Sequence, residues 1–130
     1  QAWHGGIVTV VRLVLDADPQ ILTVRAYAPG EIDVAGQKLR SPFILSAASL
    51  ITDWAVRSAA ELDLAALEPL LALRPDVIVI GADGAGITGP WRREVEARNV
   101  SIEVMNLGAA CRTYNVLANE RRAVVAGLFP

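Results

Sequence analysis

Cysteine, histidine and lysine are nearly missing from these 130 residues, which contain one of each: Cys111, His4 and Lys38. A lone cysteine excludes an internal disulfide and predicts a reducing, cytoplasm-like compartment. One cysteine and one histidine cannot furnish the usual zinc sites, and Asp83 has no second carboxylate at metal-loop spacing, so no metal is expected. His4 sits in a glycine-flanked opening segment, which leaves both Cys111 and the serines without a placed base for covalent catalysis. Charge of one sign is also lacking. The net charge is −2 with the basic residues scattered, which excludes the electrostatic footprint of a nucleic-acid partner. No apolar run approaches the roughly 20 residues of a membrane helix, because Arg12, Asp16, Arg25, Asp53, Arg57 and Arg74 interrupt the pattern. The first six residues carry neither an initiator methionine nor a signal-peptide pattern, the expectation for a trimmed or processed chain. An organellar, mitochondrial-type location therefore stays open beside the cytoplasmic one.

What is abundant is apolar surface. Hydrophobic residues make up 53% and charged residues 20%, a balance that predicts one well-packed globular domain. The expected division is an N-terminal extension or first strand over 1–20 and an α/β domain over 21–130. Residues 21–27 are rich in β-branched side chains, and Pro29-Gly30 supplies a turn before Glu31, Ile32, Asp33 and Val34 resume a period of two. A second turn near Ala35-Gly36 predicts a hairpin into residues 38–40, with a further strand at 43–45 and a short edge piece at 54–56. Leucines 62, 64, 67, 70, 71 and 73 form a helical stripe over residues 58–73, closed by Pro75. The run 76–80 reads as a central strand buried on both faces. Helix 91–98, strand 100–105, helix 110–119 and strand 123–129 complete a βαβαβ unit. The predicted fold is thus α/β: a single layered domain with a mixed sheet, an N-terminal hairpin region and a parallel βαβαβ unit. In such a unit the segments 81–89 and 106–110 meet on one carboxyl-edge rim, the default ligand position of an open α/β sheet.

That rim carries the first group of candidate binding residues: Gly81, Asp83, Gly84 and Gly86. Gly84, Gly86 and Gly89 form a G-x-G-x-x-G spelling, but its register differs from a dinucleotide fingerprint, whose first glycine ends the strand and whose third lies within the helix. No lysine follows to make a phosphate loop. No cofactor is expected. The second group lies on the last helix: Cys111, Arg112, Thr113, Tyr114 and Asn115. Near a helix start the thiol of Cys111 gains acidity and reactivity, whereas at helical spacing from Tyr114 and Ala118 it packs as a small hydrophobe. Arg112 is poorly placed against the helix dipole, so it serves either an acidic group within the fold or an external carboxylate or phosphate. Glu31 and Asp33 share one side of a strand, the pattern of a solvated hairpin face.

The string from Ala109 to Leu117, Ala-Ala-Cys-Arg-Thr-Tyr-Asn-Val-Leu, preceded by Ile102-Glu103-Val104-Met105, resembles the signature of the Mth938-like domain family. Tyr27-Ala28-Pro29-Gly30-Glu31-Ile32, residues 41–46 and Trp54 are similar to the same family's N-terminal half, so the resemblance covers residues 21–129. It implies a compact layered α/β fold with a mixed sheet and carries no catalytic activity with it. The family includes an assembly factor of mitochondrial respiratory complex I, which implies a protein partner for this chain, with self-association as one form. Two function classes therefore stand side by side. One is a non-catalytic binding protein of the assembly-factor type, using the rim and the face around Arg112, Tyr114 and Asn115. The other is a small-molecule or nucleotide-phosphate binding protein or enzyme, using the glycine rim with Arg112 as counter-charge. A third reading gives the family string a structural task, with Cys111 and Tyr114 in the core and Arg112 bonded internally.

Overall fold

A computed structural model describes residues 9–13, 18–84 and 87–130. His4 and Gly86 lie outside the described residues. The first strands are set by two tight turns. Strands β2 (Val24–Ala28) and β3 (Glu31–Val34) pair Ala28 with Glu31 across Pro29-Gly30. Gly30 takes φ +78° there, the conformation that position i+2 of a proline-led turn requires. Ala35 and Gly36 both have positive φ, +53° and +88°, and join β3 to β4 (Gln37–Leu39) in the two-residue turn that suits strand twist. The Asp33 carboxylate steadies it by accepting the Gly36 N–H at 2.8 Å. With β1 (Val11–Arg12), which falls within the expected extension, these strands make an antiparallel sheet ordered β1-β2-β3-β4.

A second, mixed sheet forms the centre. Its members in chain order are β5 (Phe43–Ser46), β6 (Leu50–Ile51), β7 (Val77–Gly81), β8 (Ser101–Met105) and β9 (Val124–Leu128), lying side by side as β6-β5-β9-β7-β8. β8, β7 and β9 run parallel, while β5 is antiparallel to both β9 and β6. The βαβαβ expectation holds: α2 (Trp91–Glu96) joins β7 to β8, and α3 (Leu107–Asn119) carries the chain back over β7 to β9. Stepping out one way and back the other puts the two helices on opposite faces. Strand alternation then sorts the core in two. Phe43, Leu45, Val79 and Ala126 pack with Tyr114 of α3 and Ile32 of the first sheet. Ile44, Ile78 and Ile80 pack on the other face with Trp91, Val95 and α1 (Leu64–Leu71).

The strand expected over 21–27 begins only at Val24, and three further boundaries differ from the sequence expectation, each for a local reason. The helix expected over 58–73 is split into a 3₁₀ turn, Ala59–Glu61, and α1. Asp63 interrupts it: in extended conformation, it accepts the Ala66 N–H at 2.7 Å, a side-chain cap that competes with continuing the helix through it. The edge strand expected at 54–56 is irregular instead, and the edge is β6. Trp54 there turns inward, donating its indole N–H to the Ala66 carbonyl at 2.8 Å and packing on Phe129 with ring centroids 5.1 Å apart. The third helix starts at Leu107 rather than Ala110, so the rim segment 106–110 is a helix cap and first turn, not a loop. Among the described residues no helix is long and apolar enough to cross a membrane.

Candidate functional site

The carboxyl ends of β7 and β8 meet where the two connections diverge to opposite faces, and the start of α3 closes the gap between them. Gly81 ends β7 under this helix; a Cβ on it would overlap the Cβ of Ala110 and approach Leu128 Cδ2 at 2.9 Å. The absent side chain is what lets α3 lie so close. Asp83, two residues on, accepts the Leu107 N–H at 3.0 Å, and Asn106 accepts the Ala109 N–H at 2.9 Å. An oxyanion held by free helix-start amides is the basis of phosphate binding at such a position. Here the chain's own Asp83 carboxylate fills that place. Gly84 is exposed with φ +119°.

Beside this start, a cleft of about 610 Å³ is lined by the Pro29-Gly30 turn, Arg57, Ser58, Asp83, Gly84, Thr88 and the Phe129-Pro130 end. Sequence reasoning placed the rim on two segments; folding adds residues from the first hairpin, the 3₁₀ turn and the C-terminal strand. Their sequence separation leaves no local signal to find them by.

On α3 the family string divides by exposure. Cys111 is wholly buried, Tyr114 likewise, and Asn115 is 1% exposed. Tyr114 donates its hydroxyl to the Leu22 carbonyl at 2.8 Å. Asn115 makes a two-way bond to one residue of the first sheet: its Oδ1 accepts the Val24 N–H at 2.9 Å and its Nδ2 donates to the Val24 carbonyl at 2.8 Å. The β2–β3 register slips between Val24 and Ala26, and the β1 pairing reaches Ala26 without extending to Val24. The Asn115 amide therefore serves Val24 as a strand would, satisfying buried groups that are costly to leave unpaired. Thr113 is half-buried. Arg112 is exposed and donates to the Tyr27 hydroxyl at 2.7 Å. Tyr27 in turn packs over Gly108, where a Cβ would come within 2.6 Å of its Oη. Tyr27 was legible only as a strand residue of the segment similar to the family's N-terminal half; its role beside Arg112 depends on contact across 85 positions.

Burial pushes the Cys111 thiol up to about 12; the neighbouring Arg112 charge pulls it partly back and Asp83 adds a smaller upward push. The Tyr114 hydroxyl is raised by burial as well. Both shifts have the same sign. A folded-state value above the unfolded one means that stability is fully present below the unfolded thiol range and is lost as pH rises through the folded value. The chain is therefore expected to lose stability between about pH 9 and 12, measured by urea unfolding across that range. Cys111→Ala is expected to flatten part of the loss and leave the tyrosine part. The native thiol should resist a disulfide-exchange reagent at pH 8 until the chain is unfolded.

A family model described as a protein of unknown function (DUF498/DUF598) matches residues 24–129. A solved Bordetella pertussis structure described as a Mth938-like domain is 25% identical, with TM-score 0.76 over 92% of both chains. The chain belongs to the Mth938-like family. A crystal structure from Bordetella parapertussis is 31% identical with TM-score 0.78, covering 85% of the Mth938-like chain and 96% of its own. An uncharacterised Rhodobacter capsulatus protein is 35% identical over 111 residues, 84% of this chain and 85% of its own length. The zebrafish protein named NADH dehydrogenase [ubiquinone] 1 alpha subcomplex assembly factor 3 is 24% identical over 111 residues, 82% of this chain. This Mth938-like chain spans 63% of that relative's length. The Xenopus tropicalis protein of the same name is 27% identical over 126 residues, covering 94% of this chain and 68% of its own.

Proposed function

We propose that this chain is a non-catalytic binding protein that helps assemble a multi-protein complex, and that the complex is the NADH dehydrogenase for which its zebrafish and Xenopus relatives are named. The observation that carries the reading is how α3 uses its side chains. The groups with chemical capacity, Cys111, Tyr114 and Asn115, are committed to the interior. What reaches solvent is a ridge of Arg112, its half-buried partner Tyr27 and, one turn on, Val116, which is 54% exposed. Tyrosine and arginine are the residue types that anchor protein interfaces, and an exposed valine at i+4 extends the patch along the helix. The Asp83 carboxylate at the α3 start favours this reading over phosphate capture, since an anionic ligand would meet a like charge there.

The test is assembled NADH dehydrogenase, resolved on native gels, in source cells from which this chain has been removed. The expected result is a reduced amount of complete enzyme with accumulation of a smaller intermediate, restored by the wild-type chain. An unchanged amount of complete enzyme overturns the proposal.

A further inference from the structure

On the face of the central sheet opposite α3, a groove of about 500 Å³ runs between the irregular segment after β6 and helix α1. Its apolar lining is Ile44, Ile51, Trp54, Val56, Ala66 and Pro69. Around this lining stand three carboxylates, Asp53, Glu61 and Asp63, all on exposed residues, and among the described residues no lysine or arginine lines it. Its hydrogen-bonding capacity is as one-sided as its charge. The Trp54 indole N–H is already spent on the Ala66 carbonyl. Pro69 sits inside α1 and has no N–H to offer the Ala65 carbonyl one turn back, and both residues line the groove. Asp63 and Glu61 each accept one backbone N–H, from Ala66 and Arg57, which leaves each carboxylate with its charge and further lone pairs. The groove thus presents apolar surface and acceptors, and calls for an occupant with an apolar side chain and cationic donors beside it.

We infer that this groove is a docking site for a segment of a partner protein that carries an aliphatic side chain flanked by lysine or arginine. The aliphatic group lies against Trp54 and Val56, and the cations meet Asp53, Glu61 and Asp63. A cavity of this volume suits one or two side chains rather than a whole domain face, and the excess of negative charge raises the association rate of a basic segment and disfavours an acidic one. The inference rests on the protein-binding reading but uses a different surface. A chain with the α3 ridge on one face of the sheet and this groove on the other holds two partner segments apart at a fixed distance.

The probe is a pair of acetylated pentapeptides, Lys-Leu-Lys-Leu-Lys and Glu-Leu-Glu-Leu-Glu, titrated into the isotope-labelled full chain and followed by two-dimensional NMR. The expected result with the lysine peptide is a saturable shift of the Trp54 indole N–H and of the Ala55 and Ala65 amides. Affinity for the glutamate peptide should be at least tenfold weaker. Ala65→Arg, at an exposed helix position in the groove wall, is expected to keep the fold and abolish the shift; Asp53→Asn weakens it without filling the groove. No saturable shift at Trp54, equal binding of both peptides, or binding untouched by Ala65→Arg overturns the inference. Concentration-dependent dimerisation that Ala65→Arg abolishes assigns the groove to a second copy of the chain and overturns it too. Lysine-peptide binding in a chain that proves dispensable for NADH dehydrogenase supports the groove and defeats only the assembly reading. A silent groove in a chain that assembly requires defeats the groove alone.

Discussion

Asn115→Ala is expected to lower stability by about 2 to 6 kcal/mol, because it strips partners from both the N–H and the carbonyl of buried Val24 and each such group costs about 1–3 kcal/mol to leave unpaired. The bond joins α3 to the first sheet across 91 positions, so its loss loosens two layers and not one side chain. Asn115→Asp is the finer probe, since it keeps the shape and the acceptor for the Val24 N–H but turns a carboxylate oxygen on the Val24 carbonyl. Burial and that carbonyl raise the new carboxyl above its ordinary range. Its proton is then bound more tightly in the folded state, so relative to wild type this variant is most stable below the unfolded carboxyl range and loses ground as pH rises. Urea midpoints at pH 4 and pH 7 for wild type and both variants measure this. Equal stability of Asn115→Ala and wild type contradicts the account.

Gly81→Ala is expected to cost about 1 to 3 kcal/mol, the usual range for overpacking a filled core. The added methyl overlaps Ala110 Cβ, which has no rotamer to retreat into, so α3 itself must move. Gly108→Ala makes an instructive contrast. Its methyl meets the far end of the Tyr27 side chain, which can swing aside, and removing a helical glycine gains about 1 kcal/mol of helix propensity. Its expected stability change is therefore near zero, while the Arg112 to Tyr27 bond is displaced. The check is the denaturation midpoint at constant slope; a Gly81→Ala chain as stable as wild type removes the close-approach argument.

Much of the architecture was legible because it rests on local signals. The buried run at β7, the βαβαβ order and the two N-terminal turns follow from apolar periodicity and from Pro29, Gly30 and Gly36. The helix starts were misjudged where a side chain ends or begins a helix against the apolar pattern. Asp63 breaks a leucine stripe that looks continuous, and Asn106 with Asp83 begins α3 a turn before its stripe becomes evident. Of the site, the family string marked the right helix, but exposure decides which of its members can meet a partner, and exposure depends on the first sheet. No local signal around Asn115 announces that its amide pairs with Val24, 91 positions away. Trp54 read as an edge-strand residue for the same reason: its groove exists only once α1 lies beside it.

The α3 ridge is the part of the account most directly open to a single measurement. In cells lacking the native chain, the double variant Arg112→Ala, Val116→Asp is compared with wild type for restoring assembled NADH dehydrogenase, alongside the urea midpoint of the purified protein. The account predicts an unfolding midpoint close to that of wild type, because both residues are exposed and surface changes cost within about 0.5 kcal/mol, together with lost restoration. Full restoration by the double variant would contradict it.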